Sequence, residues 1–398
     1  MKRLLCGGLI ILLCFMSGCL KAHTLDKYGY VMAIGMDVGD TMPYHVTLML
    51  QKTQSGSDTQ TSGGFTLVDA ESRSLFEAIE TLAGSLPFQL DFARTALIVV
   101  GLPLAQREGE IQKLLDISYA QLRIRYNANL MLALESAQDA MKGLENELDP
   151  NLSKLQENFV TYSHQTGLSP IMNLTMMDEA MRGKCFDPII PLCGKIKETE
   201  QKTARGDSVG ISEYPYIGGM MLVTSGMKTG LAGSVLMANG KTCGILDGMH
   251  TQLVLMASGM FRKGRMQLED RNGQNFSIVF TAQESPVTQI SLRKDLHFAR
   301  VSIPLIADIE QPEQLIGDSM QATEEWLEQT LSSRTQQVYA CCRAMGTDCF
   351  GFGKSAIKLF SSSALWDQYD WKTAYKSLDV EFIYEVALKQ DPKKSVLE

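Results

Sequence analysis

The sequence predicts an α+β protein with three mixed α/β domains behind an export signal. Strand and helix patterns alternate through the first half of the chain, and short apolar runs separated by glycines follow. The last third combines a long amphipathic helix with a strictly alternating strand. We therefore expect the C-terminal domain to be a mostly antiparallel sheet covered by a long helix. With 398 residues, of which 45% are hydrophobic, the chain can bury several cores.

Residues 1–18 have the pattern of a secretion signal that ends at a lipidation site. Lys2 and Arg3 precede a short apolar stretch, and small residues then lead to Cys19. The ending Ser17-Gly18-Cys19 resembles a bacterial lipobox, which implies a diacylglycerol on the Cys19 thiol and cleavage just before it. A plain secretory signal and an uncleaved anchor are the alternatives. Two acyl chains on one cysteine suffice for stable membrane attachment.

The charge balance excludes one class of partner. The chain has a formal charge of −8, and loss of Lys2 and Arg3 with the signal makes it −10. An acidic body argues against nucleic-acid binding through a basic face. It also predicts little electrostatic adhesion to anionic lipid, so we expect the body to stand off the membrane or to lean on another protein. No later apolar run reaches 18 residues, the length of a helical span.

The N-terminal α/β domain is expected over 19–200. Apolar residues alternate with polar ones in the paired strands, recur at helical spacing in the helices and form short continuous runs in buried strands. In order, the sequence predicts a β-hairpin over 28–37 and 44–51, a polar loop over 53–64, a helix over 75–86 capped by Ser72 or Ser74, a strand over 96–100, a helix over 104–116, a strand over 129–134, a helix over 136–144, two helical pieces within 146–183 broken at Gly167 and Pro170, and an extended crossing over 187–192.

Two further domains are expected after this one. A small β-rich middle domain is predicted over 201–275, because short apolar runs such as Leu253–Met256 are separated by glycines. The C-terminal α+β domain is predicted over 276–398. In it a helix from about residue 314 to Met345 carries a stripe of Ile316, Leu327, Leu331 and Val338. The even-numbered residues of the last strand, Val380 to Val386, should face this stripe.

The chemistry-bearing residues form no recognisable catalytic or metal-binding set. Asp247 and His250 can meet on one helical turn, but two ligands do not hold a metal. Gly353-Lys354-Ser355 matches only the end of a phosphate-binding loop, and no serine lies in a nucleophile motif. We therefore expect no enzyme activity, no cofactor and no metal. Six cysteines remain after the signal and the lipid site, and their disulfide state stays open: Cys185, Cys193, Cys243, Cys341, Cys342 and Cys349.

Several segments occur in an order that characterises one protein family. They are the lipobox at Cys19, Leu25-Asp26, Ala33-Ile-Gly-Met-Asp37, Glu77-Ala-Ile-Glu-Thr-Leu82, Thr95-Ala-Leu-Ile-Val-Val100, Asp187-Pro-Ile-Ile-Pro-Leu192, Gly244-Ile-Leu-Asp-Gly248 and Asp348-Cys-Phe-Gly-Phe-Gly353. Together they resemble the Ger(x)C family, the lipoprotein C subunits of bacterial spore germinant receptors. The resemblance covers essentially the whole chain.

The resemblance implies a function, partners and a location. It implies a lipid-anchored C subunit that is required for nutrient-triggered spore germination. The subunit would lie on the outer leaflet of the spore inner membrane beside an A subunit and a B subunit. The alternative is a lipid-anchored solute-binding protein of a transport system, which should show two similar α/β lobes around a cleft. The residues implied as structural motif positions are Asp37, Leu246, Asp247, Gly248, Phe350, Gly351, Phe352 and Gly353.

Overall fold

A computed structural model describes residues 27–51, 64–144, 152–196, 208–209, 216–220, 228–270, 273, 275–293, 296–309 and 319–389. The signal peptide, Cys19 and nearly all of the polar loop expected over 53–64 lie outside these ranges. The described residues form two sheets with helices packed against them, one of ten strands and one of five. The predicted mixed α/β, multidomain class is confirmed.

The ten-stranded sheet includes every described strand of the N-terminal half. Its strands and the helices between them are β1 Tyr28–Asp37, β2 Tyr44–Gln51, β3 Phe65–Ser72, α1 Leu75–Ser85, β4 Gln89–Asp91, β5 Leu97–Gly101, α2 Leu102–Ala105, α3 Glu110–Ala120, β6 Asn129–Ala133, α4 Ala137–Leu144, α5 Leu152–Thr166, α6 Leu174–Gly183, β7 Ile189–Lys195, β8 Ser208–Val209, β9 Thr229–Ala238 and β10 Lys241–Leu246. The strand order is β3-β2-β1-β5-β6-β7-β9-β10-β8, and β4 pairs with β1.

The centre of this sheet explains its apolar runs. β1, β5 and β6 run parallel, and β5 and β6 are buried along their whole length. Parallel strands covered on both faces need continuous apolar sequences. The one helix expected over 104–116 is instead two, α2 and α3, because Gly109 takes a left-handed φ of 77° between them.

The five-stranded sheet and its helices form the C-terminal part. They are α7 Gly248–Ser258, β11 Lys263–Glu269, β12 Asn275–Ala282, β13 Val287–Arg293, β14 Leu296–Ile309, α8 Met320–Met345, α9 Phe352–Ala356, a 3₁₀ turn at Ile357–Leu359, α10 Ser363–Gln368, α11 Trp371–Lys376 and β15 Leu378–Leu388. The strand order is β11-β12-β14-β13, and β15 pairs in parallel with β14. All other pairings in this sheet are antiparallel.

Helix α8 covers the sheet as the sequence predicts. Leu327, Leu331 and Val338 are buried in one cluster with the even-numbered residues of β15. The helix also protects the open edge of β15, because the Glu328 carboxylate accepts the Val386 N–H at 2.9 Å. The helix is capped by Ser319 and stops at a left-handed Gly346. Its expected earlier start, with Ile316, lies outside the described residues.

The segment expected as a β-rich middle domain, 201–275, is divided between the two sheets. β9 and β10 belong to the ten-stranded sheet, whereas β11 belongs to the other. The run Leu253–Met256, expected as a strand, lies in α7, where all four side chains are buried. A helix buried on all sides has no polar face, so its sequence resembles a buried strand. No helix within the described ranges is long and apolar enough to cross a bilayer.

Candidate functional site

Asp37, the first motif residue, fastens the end of β1 to the start of α4. Its carboxylate accepts hydrogen bonds from the backbone N–H groups of Ala137 at 2.7 Å and Gln138 at 2.9 Å, and from the Ser136 hydroxyl at 3.0 Å. These are otherwise unsatisfied donors of a helix N-terminus, where a negative charge is favourable. Gly101 lies directly against this carboxylate, because a Cβ there would overlap Asp37 Oδ1. The arrangement orders the connection between strand and helix.

Leu246, Asp247 and Gly248 form the turn from β10 into α7. Leu246 is fully buried, and Asp247 caps the helix by accepting the His250 N–H at 2.8 Å. The same carboxylate oxygen lies 2.8 Å from Nδ1 of His250, so the two residues that can meet on one turn do meet. A Cβ on Gly248 would press on Leu168 and Tyr216. The chemistry here is helix capping and close packing.

Asp348 organises the turn that carries the remaining motif residues. Its carboxylate accepts the N–H of Phe352 at 2.9 Å, the N–H of Gly353 at 2.8 Å and the indole N–H of Trp371 at 3.1 Å. Gly351 has a φ of 77°, which favours glycine, and a Cβ on Gly353 would overlap a backbone oxygen of a neighbouring segment. Both glycines are therefore required by the path of the backbone.

Asp348 also joins the C-terminal part to the ten-stranded sheet through Asp187. The Asp187 N–H donates to the Asp348 carbonyl oxygen at 3.1 Å, and the Asp348 N–H donates to Asp187 Oδ2 at 2.9 Å. Beside this reciprocal pair, the Thr347 hydroxyl donates to the Met237 carbonyl oxygen of β9 at 2.6 Å. We call Asp187, Asp348 and these hydrogen bonds the aspartate joint. It links the two motifs that begin at Asp187 and Asp348.

The aspartate joint is poor in positive charge. Burial raises the pKa of the Asp348 carboxyl to about 7, because the charged form loses its hydration, and the nearby Asp187 carboxylate acts in the same direction. The N–H donors from Phe352, Gly353 and Trp371 oppose this rise. Lys372 is the cation that pairs with the joint, with Nζ 3.8 Å from Asp187 Oδ1. Protonation of Asp348 therefore relieves repulsion between two buried carboxylates.

Phe350 and Phe352 fill the seam between α8 and β15. Their ring centroids lie 5.7 Å and 5.8 Å from that of Tyr339 on the helix, and 5.5 Å and 6.4 Å from that of Phe382 on the strand. The Tyr339 hydroxyl donates to the Leu378 carbonyl oxygen at 2.7 Å. Edge-to-face and tilted pairs of this kind stabilise a core beyond the area they bury. Phe350, Phe352 and Gly353 are thus buried inside the molecule, and Gly351 is half-buried at the turn.

The structure brings only part of the predicted motif set together. Leu246 belongs to the same hydrophobic cluster as Phe350 and Phe352. Asp37 lies apart from that cluster, at the end of β1 in the ten-stranded sheet. Asp187 and Asp348 each begin a sequence motif, but the sequence alone does not mark either of them as a site residue. For Asp348 the available signal was an acidic residue two positions before Phe350-Gly-Phe-Gly353, because such a residue typically supplies acceptors to the N–H groups of a turn.

The aspartate joint has no room for a ligand. The cavity beside Asp348 measures about 10 Å³, too small for more than one water. A larger cavity of about 370 Å³ is lined by Thr166, Met249 and Arg265, and it lies beside the turn at Gly248, because Leu168 and Tyr216 also line it. Within the described part of the chain, no three His, Cys, Asp or Glu side chains are grouped to hold a metal.

Comparisons with known proteins identify two matching families and one similar fold. The family model described as "Spore germination protein N-terminal domain" matches residues 21–195, and the one described as "Spore germination B3/ GerAC like, C-terminal" matches residues 232–391. The solved structure titled "Crystal Structure of the GerBC protein" has the same fold, with a TM-score of 0.54 and 13% identity over 90% of this chain and 97% of that one. No curated protein is similar enough in sequence to count as a match.

Proposed function

The chain belongs to the GerAC-like family of spore germination proteins and has the role of a germinant-receptor C subunit, and we propose that it performs this role as a lipid-anchored connector without catalytic activity. The observation that carries the proposal is the aspartate joint. Asp187 lies in the segment matched by the N-terminal family model, and Asp348 lies in the segment matched by the C-terminal one. The joint therefore couples the two family segments.

Strand pairing supports the same coupling. β9 comes from the C-terminal family segment, yet it pairs with β7 of the N-terminal segment from Ile189 to Lys195. The two segments thus share one sheet in addition to the aspartate joint. Because closely packed segments transmit strain, a displacement of one family segment should move the other. This coupling suits a subunit that holds neighbouring proteins in a fixed arrangement.

The motif side chains support a connecting role over chemistry on a substrate. Asp37, Asp247 and Asp348 each direct a carboxylate at backbone N–H groups of their own fold.

The alternative of a solute-binding protein predicts two similar lobes. The two sheets of this chain differ from each other, because one is a ten-stranded mixed sheet and the other is a five-stranded, mostly antiparallel sheet. We infer A and B receptor subunits as partners, and the outer leaflet of the spore inner membrane as the location.

Lipid attachment is tested with Cys19→Ala. We expect labelling of the wild-type chain by a fatty-acid analogue and none of the variant, because Cys19 is the proposed acceptor. Cys341→Ala is the matched control and should label as the wild type does. Lipid labelling of Cys19→Ala would contradict the anchor.

The connecting role is tested by recovering the tagged chain from spore membranes. We expect the A and B subunits to be recovered with the wild type and with Asp379→Ala, which removes an exposed carboxylate. Asp348→Ala should lower their recovery at equal amounts of tagged chain, because it removes the acceptor of three N–H donors at the joint. Equal recovery with all three chains would contradict the role of the joint, and recovery of neither subunit would contradict the partners.

A further inference from the structure

One edge of the ten-stranded sheet carries exposed positive charge. The strands β1, β5 and β6 run parallel, with Ala33 opposite Leu97 and Leu97 opposite Asn129, so their N-terminal ends point to the same edge, and β1 extends five residues further toward it. Four cationic residues precede these strands within a few positions. They are Lys27 before β1, Arg94 before β5, and Arg123 and Arg125 before β6. We call these four residues, with Tyr126, the basic edge.

The side chains of the basic edge are directed to solvent. All five residues are exposed, and Tyr126 is 65% exposed although its ring lies 4.8 Å from that of Tyr119. Arg94 lies over the Tyr30 ring at 4.2 Å, so its guanidinium contacts an aromatic face and keeps its full positive charge. Among the residues that the structure describes, no carboxylate forms an ion pair with any of the four cations.

Three acidic groups on neighbouring elements bond to other partners. Asp91 of β4 accepts a backbone N–H two residues further on at 2.8 Å. Asp116 of α3 accepts from Gln112, and Asp178 of α6 pairs with Arg182 at 2.6 Å. Asp178 is thereby paired with a cation, whereas Asp91 and Asp116 bond to neutral donors and keep their negative charge. The four cations of the basic edge outnumber these two carboxylates, although the whole chain has a formal charge of −8.

The basic edge is also the place where the membrane tether enters the fold. Cys19 lies eight positions before Lys27 in the sequence, and eight extended residues span at most about 29 Å. Strand β1 begins at Tyr28 and runs away from this edge for ten residues. A lipid on Cys19 therefore keeps the basic edge within about 29 Å of the bilayer, a limit that the opposite end of β1 exceeds by up to the length of the strand.

We propose that the basic edge docks on the anionic phospholipid surface to which Cys19 is anchored. The inference rests on the lipid attachment in the proposed function and adds a defined face to it. It revises the expectation that an acidic body stands off the membrane, because the charge is unevenly distributed and screening confines the interaction to about 8–10 Å. Tyr126 suits the lipid–water boundary, where tyrosine is enriched.

The test measures vesicle binding by the mature-length chain with Cys19→Ser, so that the protein surface alone can bind. We expect binding to vesicles of phosphatidylcholine mixed with phosphatidylglycerol, and its loss at high ionic strength or with phosphatidylcholine alone. Arg123→Gln with Arg125→Gln should weaken binding about 20- to 30-fold, since each cation contributes about fivefold. The matched pair is Arg262→Gln, just before β11, with Arg293→Gln, at the end of β13, and it should leave vesicle binding unchanged.

Two results would overturn the docking face. One is equal binding to both vesicle compositions, and the other is an equal loss with the matched pair. Binding that is insensitive to phosphatidylglycerol, combined with loss of the A or B subunit from the Arg123 and Arg125 variant, would assign the edge to a protein partner instead. Failure of the lipid anchor is read separately, from fatty-acid labelling of Cys19, and does not alter the vesicle result.

Discussion

Truncation of Phe382 tests the packing of α8 on β15. Phe382 is 5% exposed and its ring lies within 6.4 Å of three other aromatic rings, those of Tyr339, Phe350 and Phe352. Replacement of a buried Phe by Ala costs about 3–5 kcal/mol through lost transfer energy and the cavity left behind. Three lost aromatic contacts, worth about 0.5–1.5 kcal/mol each, place the expected loss near the upper end of that range.

Glu381 provides the matched control one position away. Its side chain is 46% exposed and pairs with Arg300 at 2.7 Å on the opposite face of the sheet. An exposed ion pair contributes about 0–1 kcal/mol, so Glu381→Ala should change the free energy of unfolding by no more than that. The alternation of β15 assigns the two neighbours to opposite faces.

Thermal and denaturant unfolding, followed by circular dichroism, compare the two variants directly. We expect Phe382→Ala to lower the midpoint of unfolding by about 10 °C or more, and Glu381→Ala to shift it by about 3 °C at most. If Glu381→Ala were the more destabilising change, the register of β15 would be shifted by one residue. The proposed core between α8 and the sheet would then be refuted.

Three further outcomes follow from the buried groups. Burial raises the folded-state pKa of Asp348 from 3.8 to about 7, so its stabilising contribution is complete below about pH 4 and is lost as the pH rises through 7. Between these pH values, the free energy of unfolding should fall more steeply for the wild type than for Asp348→Asn in denaturant titrations. Asp37→Ala should lower the free energy of unfolding by about 2–3 kcal/mol in denaturant melts, whereas the exposed Asp40→Ala should change it by less than about 0.5 kcal/mol. Burial raises the pKa of the Cys349 thiol, so mass spectrometry after iodoacetamide treatment of the native chain should find Cys341 alkylated before Cys349; the reverse order would contradict the packing.

Elements with one buried face were predictable from the sequence. The last strand alternates because its odd positions, such as Glu381, face solvent, and α8 keeps a stripe because its other face is exposed. The run Leu253–Met256 had no such signal, since α7 is buried around nearly its whole circumference. Periodicity in a sequence arises when one face of an element is buried and the other is exposed. An element that is buried on all faces has no such difference, so its sequence shows no period.

The sites depended on contacts between distant residues. Asp187 and Asp348 are 161 positions apart, and only the fold brings their N–H groups and carboxylate together. The basic edge likewise required the register of three parallel strands, which places Arg94 and Arg125 at one edge. Motif order along the chain was sufficient to recognise the family, because it needs no knowledge of which motifs meet in space.

Germination of spores that lack this chain tests the central claim most directly. We expect deletion to abolish the response to one set of nutrients while non-nutrient triggers still cause germination, and the wild-type gene should restore the nutrient response. Spores that lack the chain but germinate normally with every nutrient tested, in a strain without a second copy, would contradict its role as a germinant-receptor subunit.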